Sequence, residues 1–318
     1  MATERPPTID PTAVARWQAT ALAASPWLHE EIARRMQERL DWIKQQPASW
    51  AHWGPVHGGL QAHQLIANRY AKADCYLVEP VAANAATAAR VLAPARPWWK
   101  PAPWRAPGVQ ITATPPPAAV QMIWSNMALH MAADPQSLLA DWHASLATDG
   151  FLMFSCLGPD SAARLRTIYR ELGWGEAGSA FTDMHDWGDM LIAAGFAEPV
   201  MDMERITLSW STSAQLLAEL RQLGRNLHPA RFAGLRTLAW RNRLEQALAH
   251  RLGDSAVDGR LTLDFEIVYG HAFKPPPRQL PGADRHIGLD EMRGMLKAGR
   301  GGSPAQSDAL IGSPVTKP

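Results

Sequence analysis

The chain has 318 residues, 47% of them hydrophobic, and a formal net charge of +1, enough for one large domain or two small ones with a full core. That near-neutral balance gives no electrostatic case for nucleic acid or a membrane surface, and no run of about 18 apolar residues offers a membrane span. Cys75 and Cys156 each sit in an apolar, strand-like run and read as buried reduced thiols, while the opening MATERPPTIDP lacks the basic and apolar regions of a signal peptide; a cytoplasmic protein is expected.

Residues 1–9 read as disordered, and the main domain runs from 10 to 275. Asp10-Pro11 and Ser25-Pro26 each pair a capping residue with a proline, the start signal of a helix. In the second helix Leu28, Ile32, Met36, Leu40 and Ile43 form the apolar stripe, and Glu30, Glu31, Arg34, Arg35, Glu38 and Arg39 the solvated face. SWAHW from Ser49 is a first strand. Gly54-Pro-Val-His-Gly58-Gly59 reads as a glycine loop feeding a helix from Leu60 to Ala71, and such glycines let backbone amides approach a ligand. Cys75 to Glu79 is a second strand that delivers a carboxylate about twenty residues past the loop, the spacing at which an acid can hold a ribose diol. Ala82 to Leu92 is an alanine-rich helix, Pro94 to Pro107 a proline- and tryptophan-rich connection, and Val109 to Ile111 a short strand.

Gln121 to Asp160 forms a strand-helix-strand unit. Met122, Ile123 and Trp124 end at Ser125-Asn126, and Asp134-Pro135 starts a helix carrying Leu138, Leu139, Trp142 and Leu146. Asp149-Gly150 then turns the chain into the apolar strand Phe151 to Ser155. Strands apolar on both faces and joined through a helix imply a buried parallel sheet, whose ligands bind beyond the strands' carboxyl ends. Ser125, Asn126, Ser155 and Gly158 fall on that rim. Further on, helices are expected over Asp160 to Leu172, after Asp183-Met-His-Asp186 and stopping at Gly195, after a Ser213 cap, and over Thr237 to Leu252; strands are expected over Val200 to Leu208 and Leu261 to His271. Residues 276–318 read as a mostly disordered tail with at most a short helix from Leu289 to Ala298. His52, His57 and His63 lack a companion cysteine or carboxylate cluster, so no metal site is expected.

WSNMALHMAADP from Trp124, FSCLGPD from Phe154, DMHDWGDMLIAAGFAEPVMDMERITL from Asp183 and FEIVYGHAFKP from Phe265, with PWLHEEIARRMQERLDWIKQQP near the N-terminus, resemble the malonyl-acyl-carrier-protein O-methyltransferases of the BioC type. The resemblance spans roughly residues 10 to 278. It implies an α/β fold of the class I, Rossmann-like methyltransferase kind: a mixed seven-stranded sheet with flanking helices and a helical rim insertion at about 211–255. It implies S-adenosylmethionine as cofactor, an acyl-carrier protein or acyl thioester as partner, and methyl transfer to a malonyl carboxylate in biotin biosynthesis.

By the same resemblance, Gly54, Gly58, Gly59, Glu79, Ser125 and Asn126 are the cofactor-side residues. The family pattern of a strand-ending acid followed by Gly-x-Gly-x-Gly meets His52, Gly54, Val56 and Gly58 here, no acid follows the third strand in ITATPPPAA, and ALAASPW lacks the N-terminal tyrosine. Valine would crowd a backbone that must lie near a cofactor, and histidine is no fixed anion at neutral pH. These departures leave open a relative that keeps the fold and a protein partner without the cofactor. Gly-x-Gly-x-x-Gly is absent from residues 54–59, which argues against a nicotinamide reductase. A malonyl carboxylate is already ionised at pH 7, so its recognition calls for a cation rather than a catalytic base. His185, Arg221 and Arg225 are the substrate-side candidates, and the arginines from 221 to 251 offer a docking face for an acidic carrier.

Overall fold

The computed structural model describes residues 9–20, 22, 24–92, 108–254 and 258–277. The expectations for residues 1–8, for the Pro94–Pro107 connection and for the C-terminal tail from 278 with its short helix lie outside the described residues.

The chain opens with α1 (Pro11–Gln18), where the Asp10 carboxylate accepts from the amides of Thr12 and Ala13, and α2 (Trp27–Arg39) follows. Ser25 does not cap α2. Its hydroxyl donates to the Val56 carbonyl at 2.9 Å and accepts from the Leu60 amide at 2.8 Å. Then come β1 (Ser49–Trp53), α3 (Pro55–Gly58), α4 (Leu60–Arg69), β2 (Asp74–Val78), α5 (Ala82–Leu92), β3 (Val109–Thr112) and β4 (Val120–Asn126). The glycine stretch is therefore no open loop but a one-turn helix between left-handed Gly54 and Gly59, at φ 66° and 140°.

Asp134 caps α6 (Pro135–Ser145), and β5 (Leu146–Leu157) is bulged at Asp149-Gly150: its register with β4 jumps from Val120–Leu146 to Met122–Phe151, and Asp149 has φ 62°. The remaining elements are α7 (Ala163–Glu171), α8 (Met184–Ala193), β6 (Ala197–Trp210), α9 (Ser213–Leu223), α10 (Leu238–Leu252), the short β7 (Gly253–Asp254) and β8 (Arg260–Phe273). Thr212, not Ser213, caps α9; the Ser213 hydroxyl donates to the Glu245 carbonyl of α10 at 2.8 Å and so joins the two rim helices.

The sheet order is β3-β2-β1-β4-β5-β8-β6, with β7 paired to β8. From β3 to β5 the neighbours are parallel, and β8 is antiparallel to both β5 and β6. Because side chains alternate across a strand, each parallel strand feeds two cores. On one face Trp50, Leu77, Trp124 and Phe265 meet Ile32 and Met36 of α2 and Leu216 of α9. On the other Ala51, Ile123, Leu152 and Phe154 meet Leu139 and Trp142 of α6 and Trp187 of α8. Trp124 and Trp142 are 0% exposed; burying about 200 Å² of ring each contributes on the order of 5 kcal/mol as an upper bound. Their indole N–H groups find no acceptor among the described residues, which offsets about 1–3 kcal/mol of that each.

The α2 face expected to be only solvated is partly a clamp. Arg39 pairs with Asp202 of β6 at 2.7 Å, and its guanidinium lies 3.7 Å from the centre of the Tyr269 ring on β8. No helix among the described residues is long and apolar enough to cross a membrane.

Candidate active site at the carboxyl ends of the parallel strands

The parallel strands bring α3, Glu79 and the Ser125-Asn126 pair to one end of the sheet. Glu79, just beyond β2, is 5% exposed. Its Oε1 accepts from the Val56 amide at 2.9 Å. Burial pushes its carboxyl up to about 7, against the lowering effect of the Val56 amide and Asn84. Val56 does not crowd this carboxylate with its side chain, which is 0% exposed and belongs to the core. His52, in the place of an acid, is also turned into the core: its ring stacks against His63 and Trp50, with Nδ1 3.2 Å from His63 Nδ1. Desolvation holds both imidazoles neutral, His63 at about 4 and His52 well below its ordinary range.

The first turn of α4 is engaged from within. Leu60 N–H is bonded to Ser25, and Glu30 of α2 accepts from Gln61 N–H at 3.0 Å and Ala62 N–H at 2.8 Å. A carboxylate at a helix N-terminus satisfies donors that the helix cannot. The sequence pattern places Glu30 on the solvated face; only the crossing of α2 over α4 reveals this use.

Asn126 is a buried bolt rather than an open rim group. At 1% exposure, its Nδ2 donates to the His29 carbonyl at 2.8 Å and to the Gly58 carbonyl, and its Oδ1 accepts from Ser155 Oγ at 2.6 Å. Gly58 is required by the same contact, since a Cβ there would lie 2.8 Å from the Asn126 carbonyl oxygen. Ser125 Oγ, Asn84 Oδ1 and both ring nitrogens of His57 are buried without a well-formed hydrogen bond among the described residues. The end of α1 is seated on this region: Asn84 Nδ2 donates to the Gln18 carbonyl at 3.1 Å, and the Trp17 ring lies 5.4 Å from that of His57. A carboxylate beside unpartnered Asn84 and His57 groups fits the polar half of a nucleoside cofactor.

Beyond β4 and β5 lies a cavity of about 480 Å³, walled by Leu28, Met127, Leu157, Leu165, Leu217 and Phe265 among others. His29 and His130 also line it, and burial holds them neutral, at about 4 and about 3. Arg221 and Arg225 reach its wall from the end of α9, as the sequence suggests for substrate-side residues. The Arg225 guanidinium also lies 5.1 Å from the Trp17 ring, and Arg231 pairs with Asp10 at 2.7 Å. The segment after α9 thereby grips α1.

His185 is not part of the cavity wall. It is 79% exposed and bonded to Asp183 at 2.7 Å, on a helix packed against the opposite sheet face from α9. Arg166 of α7 does line the cavity. Sequence reasoning passes over it because it is one of many arginines on an amphipathic helix. No group of three or more His, Cys, Asp or Glu residues able to hold a metal occurs among the described residues.

Five parallel strands, a single antiparallel strand (β8) and an outer strand (β6) that runs with the first five, in the order 3-2-1-4-5-7-6 when β7 is set aside, together with a strand-end acid beside a turn, define a class I, Rossmann-like methyltransferase fold. A putative methyltransferase structure from Bacillus halodurans C-125 shares this fold, with a TM-score of 0.50 and 12% identity over 77% of this chain and 99% of that one. No protein-family model matches the sequence. A malonyl-[acyl-carrier protein] O-methyltransferase of Gallionella capsiferriformans is 37% identical over 264 residues, covering 80% of this chain and 87% of the relative. One from Halorhodospira halophila is 32% identical over 252 residues, covering 77% and 81%. The chain belongs to the malonyl-[acyl-carrier protein] O-methyltransferase family.

Proposed function

We propose that this protein transfers a methyl group from S-adenosylmethionine to the free carboxylate of malonyl-acyl-carrier protein, in the cytoplasmic synthesis of biotin. Membership of the family supports the reaction class. The observation that carries it at the level of the site is the apolar, arginine-bordered cavity just beyond β4 and β5. It offers a carboxylate-bearing acyl arm a dry wall and a cationic border.

Glu79, Asn84 and His57 would hold the nucleoside part of the cofactor. Gly54, Gly58 and Gly59 shape the turn beside it. Ser125 contributes a free hydroxyl, and Asn126 fixes the turn against β4. When bound, the cofactor supplies an electrophilic methyl group on a sulfonium. The chain's part is alignment. The nucleophilic carboxylate is ionised at neutral pH and requires no base. Apolar walls exclude water, the neutral His29 and His130 add no competing charge, and Arg221 and Arg225 attract the anionic arm at the mouth. His185, exposed on α8, has no role in this reading.

The test is calorimetric titration with S-adenosylmethionine and S-adenosylhomocysteine, with Glu79→Ala as control, followed by mass spectrometry of malonyl-carrier protein. Micromolar binding weakened at least tenfold by Glu79→Ala, and a gain of one methyl on the acyl group, are expected. Absence of binding up to millimolar cofactor would overturn the reading and leave a relative that keeps the fold for a partner alone.

A further inference from the structure

Arg166 differs from the other arginines that border the cavity. Arg241 has Glu245 at 2.9 Å. Arg236 lies over the rings of Phe232 and Trp240, 3.6 and 4.6 Å from their centres, and donates to the Trp174 carbonyl. Arg225 is exposed and folded back on the carbonyls of Arg221 and Gly224. Arg166 is half-buried on the rigid α7, and its two terminal nitrogens donate to the carbonyls of Ser161 and Pro159. No carboxylate lies within 4.0 Å of it among the described residues. The acids whose fields reach it are Asp160 and Glu176, and Asp160 is paired with Arg205 at 3.1 Å.

A guanidinium has five N–H donors. Two carbonyl contacts leave three, together with a full positive charge that burial disfavours. A cation in an apolar cavity without a counter-ion is costly unless a ligand supplies one. His29 and His130 are neutral, and Arg221 and Arg225, which also line the cavity, are exposed at its mouth, whereas Arg166 is half-buried on its wall.

We propose that Arg166 is the specificity-determining residue that pairs with the free carboxylate of the acyl group, so that the site accepts the acid and rejects its methyl ester. This rests on the methyl-transfer reading for the identity of the ligand. Methylation removes the anionic charge from the carboxylate, and the ester that forms can no longer make a charge-assisted fork with the guanidinium. The same contact that selects the substrate is therefore lost in the product, and release follows from the chemistry without a conformational switch.

Malonyl-pantetheine and its methyl ester, titrated separately into the full-length protein without a methyl donor, form the test. The acid is expected to bind at least about 30-fold more tightly than the ester, about 2 kcal/mol. Arg166→Met should bring the acid down to the ester's affinity and leave the ester within about twofold of wild type. Equal binding of acid and ester by the wild type, equal weakening of both by the variant, or a preference that survives the variant would each overturn the proposal. Equal weakening would mark Arg166 as a structural clamp on Pro159 and Ser161. If Arg166→Met does not fold, Arg166→Lys replaces it; a single ammonium cannot fork, so the preference should fall at least about threefold, and an unchanged preference refutes the assignment. Because no methyl donor is present, this outcome is independent of methyl ester formation. A protein that discriminates acid from ester yet forms no product would sink the methyl-transfer reading alone.

Discussion

Glu79→Gln probes the cofactor end of the site through a single proton. Burial raises the Glu79 carboxyl from an ordinary value of 4.5 to about 7, a difference worth roughly 3 kcal/mol at about 1.36 kcal/mol per pKa unit. The folded protein holds a proton that the unfolded chain releases. This contribution to stability is therefore complete below about pH 4.5 and is lost as pH rises through about 7. Glutamine keeps an oxygen for the Val56 amide and never ionises. The variant and wild type should be nearly equal in stability at pH 4.5, and the variant more stable by roughly 3 kcal/mol at pH 8. His29 and His63, both lowered to about 4 by burial, act with the opposite sign below about pH 6.5, but they titrate alike in both proteins and cancel in the difference. Urea unfolding at pH 4.5, 6 and 8 measures it. A difference between the two proteins that stays flat across that range within about 0.5 kcal/mol would refute both the burial argument and the sign. A nucleoside whose hydroxyls donate to Glu79 favours the ionised form, so cofactor binding at pH 6 to 7 should release a fraction of a proton. Calorimetry in buffers of different ionisation enthalpy reads that release, which should vanish in Glu79→Gln.

Two further substitutions test how the turn after β1 is fixed. Asn126→Asp places a carboxylate oxygen against the carbonyls of His29 and Gly58; thermal or urea unfolding at pH 7 should show a loss of about 3 kcal/mol or more, partly recovered near pH 4 as the acid protonates. Gly58→Ala drives a methyl to 2.8 Å from the Asn126 carbonyl oxygen, and the forced separation of α3 from β4 should cost about 1–3 kcal/mol. Unfolding of that variant with wild-type stability would mean the turn has room to move.

Much of the scaffold was legible because it follows from local rules. Asp10-Pro11 and Asp134-Pro135 start helices where cap and proline predict them, and α5 spans the expected residues 82 to 92. The apolar runs at 120–126 and 151–157 are the central parallel pair. Capping failed as a guide at Ser25 and Ser213, since a serine hydroxyl bonds whichever partner packing supplies, here the turn after β1 and α10. A run of two glycines at 58–59 looks the same in sequence whether it cradles a ligand or packs against Asn126.

The amino-acid sequence by itself determined the order and type of the elements, the doubly apolar strands and hence a parallel sheet, and through its longer motifs the family; each depends on periodicity, caps and turns within a few residues. Only the tertiary structure decided which polar groups face a ligand. Glu30, far from Gln61 and Ala62 in sequence, caps them through the crossing of α2 over α4. Asn126 is spent on three buried bonds, His185 is left outside, and Arg166 is turned into the cavity without an acid beside it. The physical reason is that burial and hydrogen-bond satisfaction are set by contacts between elements distant in the chain, and no local pattern of residues encodes which donor will be left without a partner.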